Sequence, residues 1–515
     1  MEQDLSLAEA VETSKRLNGT TFGDAVPTGV PGLDYITAGG YARSSLHLIE
    51  GAPGTGKTTL ALQFLMDGRE RGERGLYVSL SETREELMHN AATHGWSLEG
   101  IEIFELIPPE LTLDPNRDQS VLYASDLELG ETVGMVMKEV DRIKPHRVVF
   151  DSVAEIRLLS QTPLRHRRQV LALKHFLAKQ GCTALFLDDL TQEIEETSLH
   201  SLAHAVIRLQ QTPMQFGGDR RRLRVFKMRG REFRGGFHDY VIRTGGFSVH
   251  PRLIAAEHHS AYSDAAPVTS GIAELDKLLG GGLDRGTGTM IIGPAGTGKS
   301  MVCLQFLKAA LERGEAGLVV SFDESRRVLL KRAIGVGVNL ETYEASGQLT
   351  LKHVDPAEFS PGELAGMIRD SVEQGARIVV IDSLSGYQNA LPEESFLALQ
   401  MHELLTYLGQ QGVVTLVVLA QHGLVGPMHS SVDLTYVSDN VLLLRFFEAQ
   451  GEIRRTLSVL KKRTGEHEAT LRELLIRSDR LQVGPVLDKF QGVLTGVPSF
   501  VGASSSLLQA QDNGG

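Results

Sequence analysis

The chain has 515 residues, of which 42% are hydrophobic and 23% charged, a length that fits roughly two to four domains. Its 64 acidic and 52 basic side chains give a formal charge of -12, which argues against sequence-blind binding to nucleic acid or anionic lipid. The two cysteines, Cys182 and Cys303, exclude a disulfide framework, and the longest apolar run, residues 413–420, is too short to cross a bilayer. Composition therefore predicts a soluble protein of a reducing compartment, with the cytoplasm as the default.

A first set of sequence features runs through the N-terminal half. Residues 1–21 lack the charged-then-apolar order of a signal peptide, and we expect them to precede a first domain at residues 22–248. Along this domain lie, in order, "TGVPGLDYITAGG" at 28–40, "GAPGTGKT" at 51–58, "ERGERGLYVSLSETREEL" at 70–87, "RVVFDS" at 147–152 and "RVFKMRG" at 224–230.

The same features return in the same order in the C-terminal half. They are "TSGIAELDKLLGGG" at 269–282, "GPAGTGKS" at 293–300, "ERGEAGLVVSFDESRRVL" at 312–329, "RIVVIDS" at 377–383 and "SVLKKRT" at 458–464. Repetition of this extent indicates a duplicated domain. We expect a linker at residues 249–268, a second domain at 269–490 and a partly disordered tail at 491–515.

Within each copy, short apolar strands alternate with helical patterns. The segments 58–72 and 300–314 place apolar residues every three to four positions, as an amphipathic helix does. This alternation predicts an α/β fold in which each domain has a mainly parallel sheet covered by helices on both faces. Ligands are then expected at the carboxyl ends of the strands.

The repeated G-x-x-x-x-G-K-[ST] motif predicts two phosphate-binding loops. Its glycines let backbone N–H groups point at phosphate oxygens, Lys57 and Lys299 would reach the β and γ phosphates of ATP, and the hydroxyls of Thr58 and Ser300 would hold Mg²⁺. A glycine-rich turn beside a surface lysine explains one match but not two in equivalent places. The predicted nucleotide-binding residues are Gly51, Gly54, Thr55, Gly56, Lys57, Thr58 and Thr59, with Gly293, Gly296, Thr297, Gly298, Lys299 and Ser300.

Acidic residues follow the strands that should flank each loop. Asp151 and Asp382 end apolar strands and are predicted to orient Mg²⁺, although an aspartate after a strand also serves as a turn or cap residue. Glu82 and Glu324 are the predicted bases that activate water, with Asp323 as a secondary acid. The alternative for these three residues is capping of the helix that follows.

Each copy also carries a late pair of cations. Strand alternation keeps Lys227 with Arg229, and Lys461 with Arg463, on one face. Such pairs suit a polyanion, and two interpretations stay open: fingers that reach the nucleotide of a neighbouring subunit, or a solvated basic hairpin.

Taken together, these features resemble the KaiC family, the circadian clock ATPase and its bacterial and archaeal relatives, from about Phe22 to Gln491. The resemblance implies tandem RecA-like P-loop NTPase domains and a two-tiered homohexamer with ATP between neighbouring subunits. It also implies slow ATP hydrolysis and, in the C-terminal tier, autophosphorylation. The residues that match the family's sites are Lys57, Thr58, Asp151, Lys227 and Arg229, with Lys299, Ser300, Asp382, Lys461 and Arg463.

Two positions depart from the family pattern. Its paired glutamates are replaced by Ser81-Glu82 and Asp323-Glu324, so the second acid alone is kept in both halves. Its phosphorylated Ser-Thr pair falls on Thr435-Tyr436, which leaves Thr435 as the phosphorylation candidate beside Ser430, Ser431 and Ser438. Residues 484–500 are similar to tails of a KaiC-like subgroup found with two-component proteins, which implies a signalling partner such as a sensor histidine kinase. A KaiB-like protein is the other regulatory partner that the family resemblance implies.

The leading hypothesis is a KaiC-like ATPase with serine/threonine autokinase activity that acts as a nucleotide- or phosphorylation-dependent switch for signalling or timing. The alternative is a RecA-like DNA-processing recombinase or helicase-like motor. The net charge and the lack of interleaved aromatic and basic residues disfavour it. A third hypothesis is a binding module that holds ATP without hydrolysing it.

Overall fold

The computed structural model describes residues 25–106, 124–160, 162–190, 197–214, 217–258, 266–389, 397–421, 436–449, 451–477, 480–494 and 499–501. The chain divides into two compact units, Met1–Arg252 (the first unit) and Leu253–Gly515 (the second unit). This division falls within the segment 249–268, predicted as a linker. None of the helices in the ranges given above is both long and apolar enough to span a membrane.

The described part of the first unit has eleven strands, of which nine form one sheet and two form a separate pair. Its strands are β1 (Ala25–Val26), β2 (Tyr41–Ala42), β3 (Leu46–Gly51), β4 (Gly75–Ser79), β5 (Ile101–Glu105), β6 (Arg147–Asp151), β7 (Thr183–Asp189), β8 (Ala205–Thr212), β9 (Arg220–Met228), β10 (His238–Arg243) and β11 (Gly246–His250). Its helices are α1 (Leu33–Ile36), α2 (Lys57–Glu70), α3 (Arg84–Thr93), α4 (Ala124–Ile143), α5 (Val153–Leu159), α6 (Pro163–Lys179) and α7 (Thr197–Leu202). The sheet order is β11-β10-β9-β8-β3-β7-β6-β4-β5, parallel from β8 to β5 and antiparallel from β8 to β11.

The second unit repeats this architecture. Its strands are β12 (Gly288–Gly293), β13 (Ala316–Ser321), β14 (Leu349–His353), β15 (Ala376–Asp382), β16 (Val414–Ala420), β17 (Asn440–Ala449), β18 (Glu452–Lys462), β19 (Arg472–Ile476) and β20 (Leu481–Val486). Its helices are α8 (Ala273–Leu278), α9 (Lys299–Glu312), α10 (Arg326–Ile334), α11 (Leu340–Ala345), α12 (Pro361–Glu373), α13 (Leu384–Asn389) and α14 (Leu397–Gln410). The sheet order β14-β13-β15-β16-β12-β17-β18-β19-β20 is that of the first unit read from its other edge.

Both faces of each sheet are buried, which explains the continuous apolar runs of the parallel strands. In β3, Leu48 packs into one apolar cluster and Ile49 into another on the opposite face. In β12, Met290 and Ile291 alternate in the same way. The predicted fold, two mainly parallel α/β domains of the RecA-like type, is thereby confirmed.

The tail begins with a short pairing. Strand β21 (Phe490–Gln491) lies antiparallel to β22 (Ser499–Phe500), and Phe490 packs against Phe447 of β17. Within the segment 491–515, Val493 packs in the same apolar cluster as Phe447 and Ala449 of β17.

Candidate nucleotide sites

A glycine-rich loop joins the central strand of each sheet to the helix that follows it. In the first unit the loop runs from the end of β3 to the start of α2, and Gly56 precedes Lys57 with a φ of 92°. A Cβ atom there would lie 2.3 Å from Cδ1 of Ile242. Gly298 has a φ of 103°, and its Cβ would lie 2.5 Å from Cδ1 of Ile476. The positive φ at both positions is a backbone conformation that favours glycine over residues with a Cβ, and it shapes the loop before each helix.

Threonines close both loops. The hydroxyl of Thr55 donates to the carbonyl of Ala52 at 2.8 Å, and that of Thr297 donates to the carbonyl of Pro294 at 2.8 Å. Thr59 lies in the first turn of α2. Of the remaining predicted loop residues, Gly51 and Gly293 end the strands β3 and β12, and Gly54 and Gly296 lie between strand and helix.

The two loop lysines lie in different electrostatic surroundings. Lys57 is buried, donates to the carbonyls of Gly51 and Ala52 at 2.8 and 3.0 Å, and forms an ion pair with Asp189 at 2.6 Å.

Lys299 donates to the carbonyls of Gly293 and Pro294 at 2.8 Å each, and burial lowers its pKa. Strand pairing places Ala420 where the first unit has Asp189, since each lies opposite the last residue of the loop strand. The second lysine thus has no acid at that position.

In the first unit, a hydroxyl and a carboxylate meet beside the loop. Asp151, at the end of β6, accepts hydrogen bonds from Thr58 Oγ1 at 3.1 Å and from the Tyr77 hydroxyl at 2.5 Å. Burial raises the pKa of Asp151. Mg²⁺ in nucleotide sites is commonly held by one hydroxyl, one carboxylate and the phosphates, so this pair fits the ion. Ser300 and Asp382 are the equivalent residues of the second unit, and the peptide bond after each aspartate is cis.

Glu82 lies between β4 and α3, close to Asp151. Its backbone N–H donates to Ser79 Oγ at 3.1 Å, which fixes the turn, while Oε2 is buried without a hydrogen-bond partner in the described part of the chain. Burial, and then the negative charge of Asp151, raise the pKa of Glu82. The cap of α3 is Thr83, which accepts from the N–H of Glu86, so capping does not account for Glu82.

Glu324 occupies the equivalent turn of the second unit and has a cation beside it. The Ser321 hydroxyl donates to its carbonyl at 2.9 Å, and Ser325 precedes α10. Arg332 Nη2 lies 2.6 Å from Oε2 of Glu324, as an ion pair rather than a directed hydrogen bond, and donates to Oδ2 of Asp382 at 3.2 Å. Burial raises the pKa of Glu324, and the charge of Arg332 opposes this.

Asp323, the predicted secondary acid, contacts the residue that directly follows β15. It accepts a hydrogen bond from the Ser383 hydroxyl at 2.6 Å, and a Cβ atom at Gly386 would lie 1.9 Å from its Oδ1. Its carboxylate therefore packs against the start of α13.

The late cation pairs lie away from the loop of their own unit. Lys227 pairs with Val206 near the start of β8, whereas the loop follows the end of β3, which runs parallel to β8. Lys227 Nζ donates to the carbonyl of His200, and Arg229 donates to that of Ser201 at 2.6 Å.

The second unit has the same arrangement. Lys461 donates to the carbonyl of Ser438 at 2.6 Å, and Arg463 donates to that of Tyr436 at 2.5 Å. Of the phosphorylation candidates, Ser438 is buried, while Ser430, Ser431 and Thr435 lie outside the described residues.

A charged layer beneath the first loop was not predicted. Glu50, buried one residue before the loop, accepts from Arg208 Nε at 2.6 Å and from His200 Nε2 at 2.7 Å. Burial opposes its ionisation, but these two hydrogen bonds hold the pKa of Glu50 below its usual value. The matching positions of the second unit are Ile292 and Leu443. An internal alignment of the two halves would have exposed this difference.

Comparison with known proteins covers both units. The family model described as "ATPase: KaiC" matches residues 26–254 and 268–487. The chain is 27% identical to the circadian clock protein KaiC3 of Synechocystis sp., over 93% of this chain and 96% of that protein. It is 26% identical to the circadian clock oscillator protein KaiC of Parasynechococcus marenigrum, over 92% and 93% of the two chains. For the KaiC of Thermostichus vulcanus the identity is 25%, with 92% of each chain covered.

Proposed function

Because the chain belongs to the KaiC family of ATPases, we propose that it binds ATP at both loops and hydrolyses it with Mg²⁺, mainly at the first. The observation that supports the first site most is the group formed by Lys57, Thr58, Asp151 and Glu82. This group combines a phosphate-binding cation, a hydroxyl and carboxylate pair for Mg²⁺, and a buried carboxylate oxygen that has no hydrogen-bond partner among the described residues. Such a set suits activation of water beside a phosphate.

In the proposed reaction, residues of the first unit act in turn. Lys57 leaves Asp189 and the loop carbonyls and binds the phosphates of ATP. Thr58 and Asp151 would hold a Mg²⁺ ion, which would neutralise charge on the phosphates. Glu82 orients the attacking water and accepts its proton, for which a raised pKa is suitable.

We further propose that the sites are completed between copies of the chain in a homohexamer. Lys227 with Arg229, and Lys461 with Arg463, lie near the opposite end of their sheet from their own loop. In a ring with head-to-tail contacts, that end of one copy faces the loop of the next. The cation pairs would then neutralise phosphate charge in trans. The proposed partner, which binds according to the nucleotide state, is a KaiB-like protein or a sensor histidine kinase in the cytoplasm.

Hydrolysis is tested by ADP production from the full chain. We expect Glu82→Gln combined with Glu324→Gln to slow turnover by roughly 100-fold or more, while ATP binding is retained. Glu85→Gln, at an exposed glutamate of α3, is the matched control and should turn over normally. Normal turnover in the double variant would remove both glutamates from the mechanism.

Autophosphorylation by the second site is the second part of the proposal. The intact mass of the protein after incubation with Mg²⁺-ATP, followed by peptide mapping, tests it. We expect phosphate on Thr435 or a neighbouring serine, and none in Lys299→Ala. ADP production without added phosphate would leave an ATPase switch alone.

The DNA-processing alternative is not favoured by the clock-protein relatives, and it requires DNA-stimulated turnover that weakens with salt.

A further inference from the structure

Arg332 contacts two carboxylates of the second site that correspond to proposed functional acids of the first. Its Nη2 lies 2.6 Å from Glu324 Oε2 and 3.2 Å from Asp382 Oδ2. Glu324 is the counterpart of the proposed water-activating residue, and Asp382 is the counterpart of the Mg²⁺-orienting residue. One guanidinium group therefore contacts both acidic functions at once.

The first unit has no cation at the matching position. Glu324 corresponds to Glu82, and eight residues later Arg332 corresponds to Asn90. Asn90 is a hydrogen-bond partner of Glu82 and carries no charge.

The neighbour of the strand-end aspartate differs too. In the first unit the Tyr77 hydroxyl donates to Asp151, whereas strand register places Val319 at the matching position of the second unit. Asp382 thus lacks the neutral hydroxyl donor that Asp151 has, and it accepts a hydrogen bond from the cationic Arg332 instead.

The geometry around Arg332 suggests that it is more than a surface ion pair. Three-quarters of its side chain is buried, and its Nε has no hydrogen-bond partner within the described ranges. Its contacts to Asp382 and Glu324 use the same terminal nitrogen, Nη2. A positive charge therefore lies against Asp382, the carboxylate predicted to orient Mg²⁺, and against Glu324 at the same time.

We propose that Arg332 is a resident cation of the second site, which competes with Mg²⁺ for Asp382 and holds Glu324 away from water. This proposal rests on the proposed function, because it assumes that ATP binds at both loops. The second site then binds ATP with little dependence on Mg²⁺ and hydrolyses it slowly. The first site, with Asn90, depends on Mg²⁺ and turns over faster. The duplicated domain thereby provides one hydrolytic site and one that retains ATP.

The test measures ATP binding at the second site with Mg²⁺ and with EDTA. Full-length Lys57→Ala protein confines a fluorescent ATP analogue to the second loop. With Arg332 present, we expect less than about a threefold difference in Kd between the two conditions. Arg332→Asn should introduce a Mg²⁺ dependence of roughly 10–100-fold, the size of effect produced by groups that adjust a metal ligand.

Matched variants keep the experiment decisive. Lys331→Asn removes a neighbouring exposed cation of α10 and should change nothing. Arg332→Gln, closer in length, serves if Arg332→Asn does not fold. In the Lys299→Ala background, Asn90→Arg should reduce the Mg²⁺ dependence of the first site.

Two outcomes would overturn the proposal. Weaker ATP binding in Arg332→Asn with unchanged Mg²⁺ dependence would make Arg332 a phosphate ligand. Strong Mg²⁺ dependence of the second site with Arg332 present would show that the arginine does not replace the ion. Failure of the proposed function looks different, since neither Lys57→Ala nor Lys299→Ala protein would then bind the analogue at all.

Discussion

The ion pair between Lys57 and Asp189 gives the most direct prediction about the first site. The two side chains lie 2.6 Å apart, with Lys57 7% and Asp189 31% exposed. Lys57 must leave Asp189 to reach the phosphates, and Asp189 also repels them. We therefore expect Asp189→Asn to strengthen ATP binding at the first loop.

The size of the effect follows from the exposure of the pair. Asp189 is about one-third exposed, so the lost pair contributes about 1 kcal/mol, near the upper end for ion pairs that solvent screens. At 25 °C this corresponds to about a fivefold lower Kd for ATP. The second unit offers the reverse change, because Ala420 occupies the matching position: Ala420→Asp should weaken binding there by a similar factor.

The assay is titration of a fluorescent ATP analogue into full-length Lys299→Ala protein, with and without Asp189→Asn. A Kd that rises instead of falling, together with a higher Mg²⁺ requirement, would refute the reasoning. It would show that Asp189 helps to hold the cation rather than restraining the lysine.

Three further predictions concern the first unit. Burial lowers the pKa of His47 to about 3 and of His238 to about 4. As the pH falls below about 6.5, these histidines therefore become protonated in the unfolded chain before they do so in the folded one. Each histidine should then cost the first unit about 2 kcal/mol of stability on going from pH 7 to pH 5. Amide exchange in residues 25–250 measures this loss, and unchanged protection at pH 5 would contradict it. Glu50→Ala leaves the half-buried Arg208 without its carboxylate and should destabilise by about 3 kcal/mol in urea unfolding, the lower end for buried ion pairs. Glu50→Ile with Arg208→Leu, the apolar pair of the second unit, should recover most of the loss, and no recovery would argue against the pairing. Gly56→Ala places a Cβ on a backbone with a φ of 92°, which favours glycine, and should weaken ATP binding at the first loop only; binding within twofold of the parent would contradict this.

The sequence was sufficient for those parts of the site that depend on local pattern. The loops with Lys57 and Lys299 could be predicted because each motif occupies eight consecutive residues between a strand and a helix. The family resemblance could be found because the motifs recur in order, and the family match confirms it. The roles of Glu82, Glu324 and Asp323 stay predictions.

The parts that were missed depend on contacts between distant segments. Asp189 reaches Lys57 because β7 pairs with β3 in register, which no local pattern shows. Arg332 reaches Asp382 across 50 residues and reads as an ordinary helix cation in the sequence. In both cases the other copy of the domain holds a different residue, so alignment of the halves is the available signal.

The central claim is that two copies of one domain have become unequal ATP sites, with hydrolysis mainly in the first. It is tested most directly by steady ADP production from Glu82→Gln and Glu324→Gln measured side by side at saturating Mg²⁺-ATP. We predict that Glu82→Gln loses most of the turnover and that Glu324→Gln retains most of it. Loss of turnover in Glu324→Gln, with Glu82→Gln close to the unaltered protein, would contradict the account.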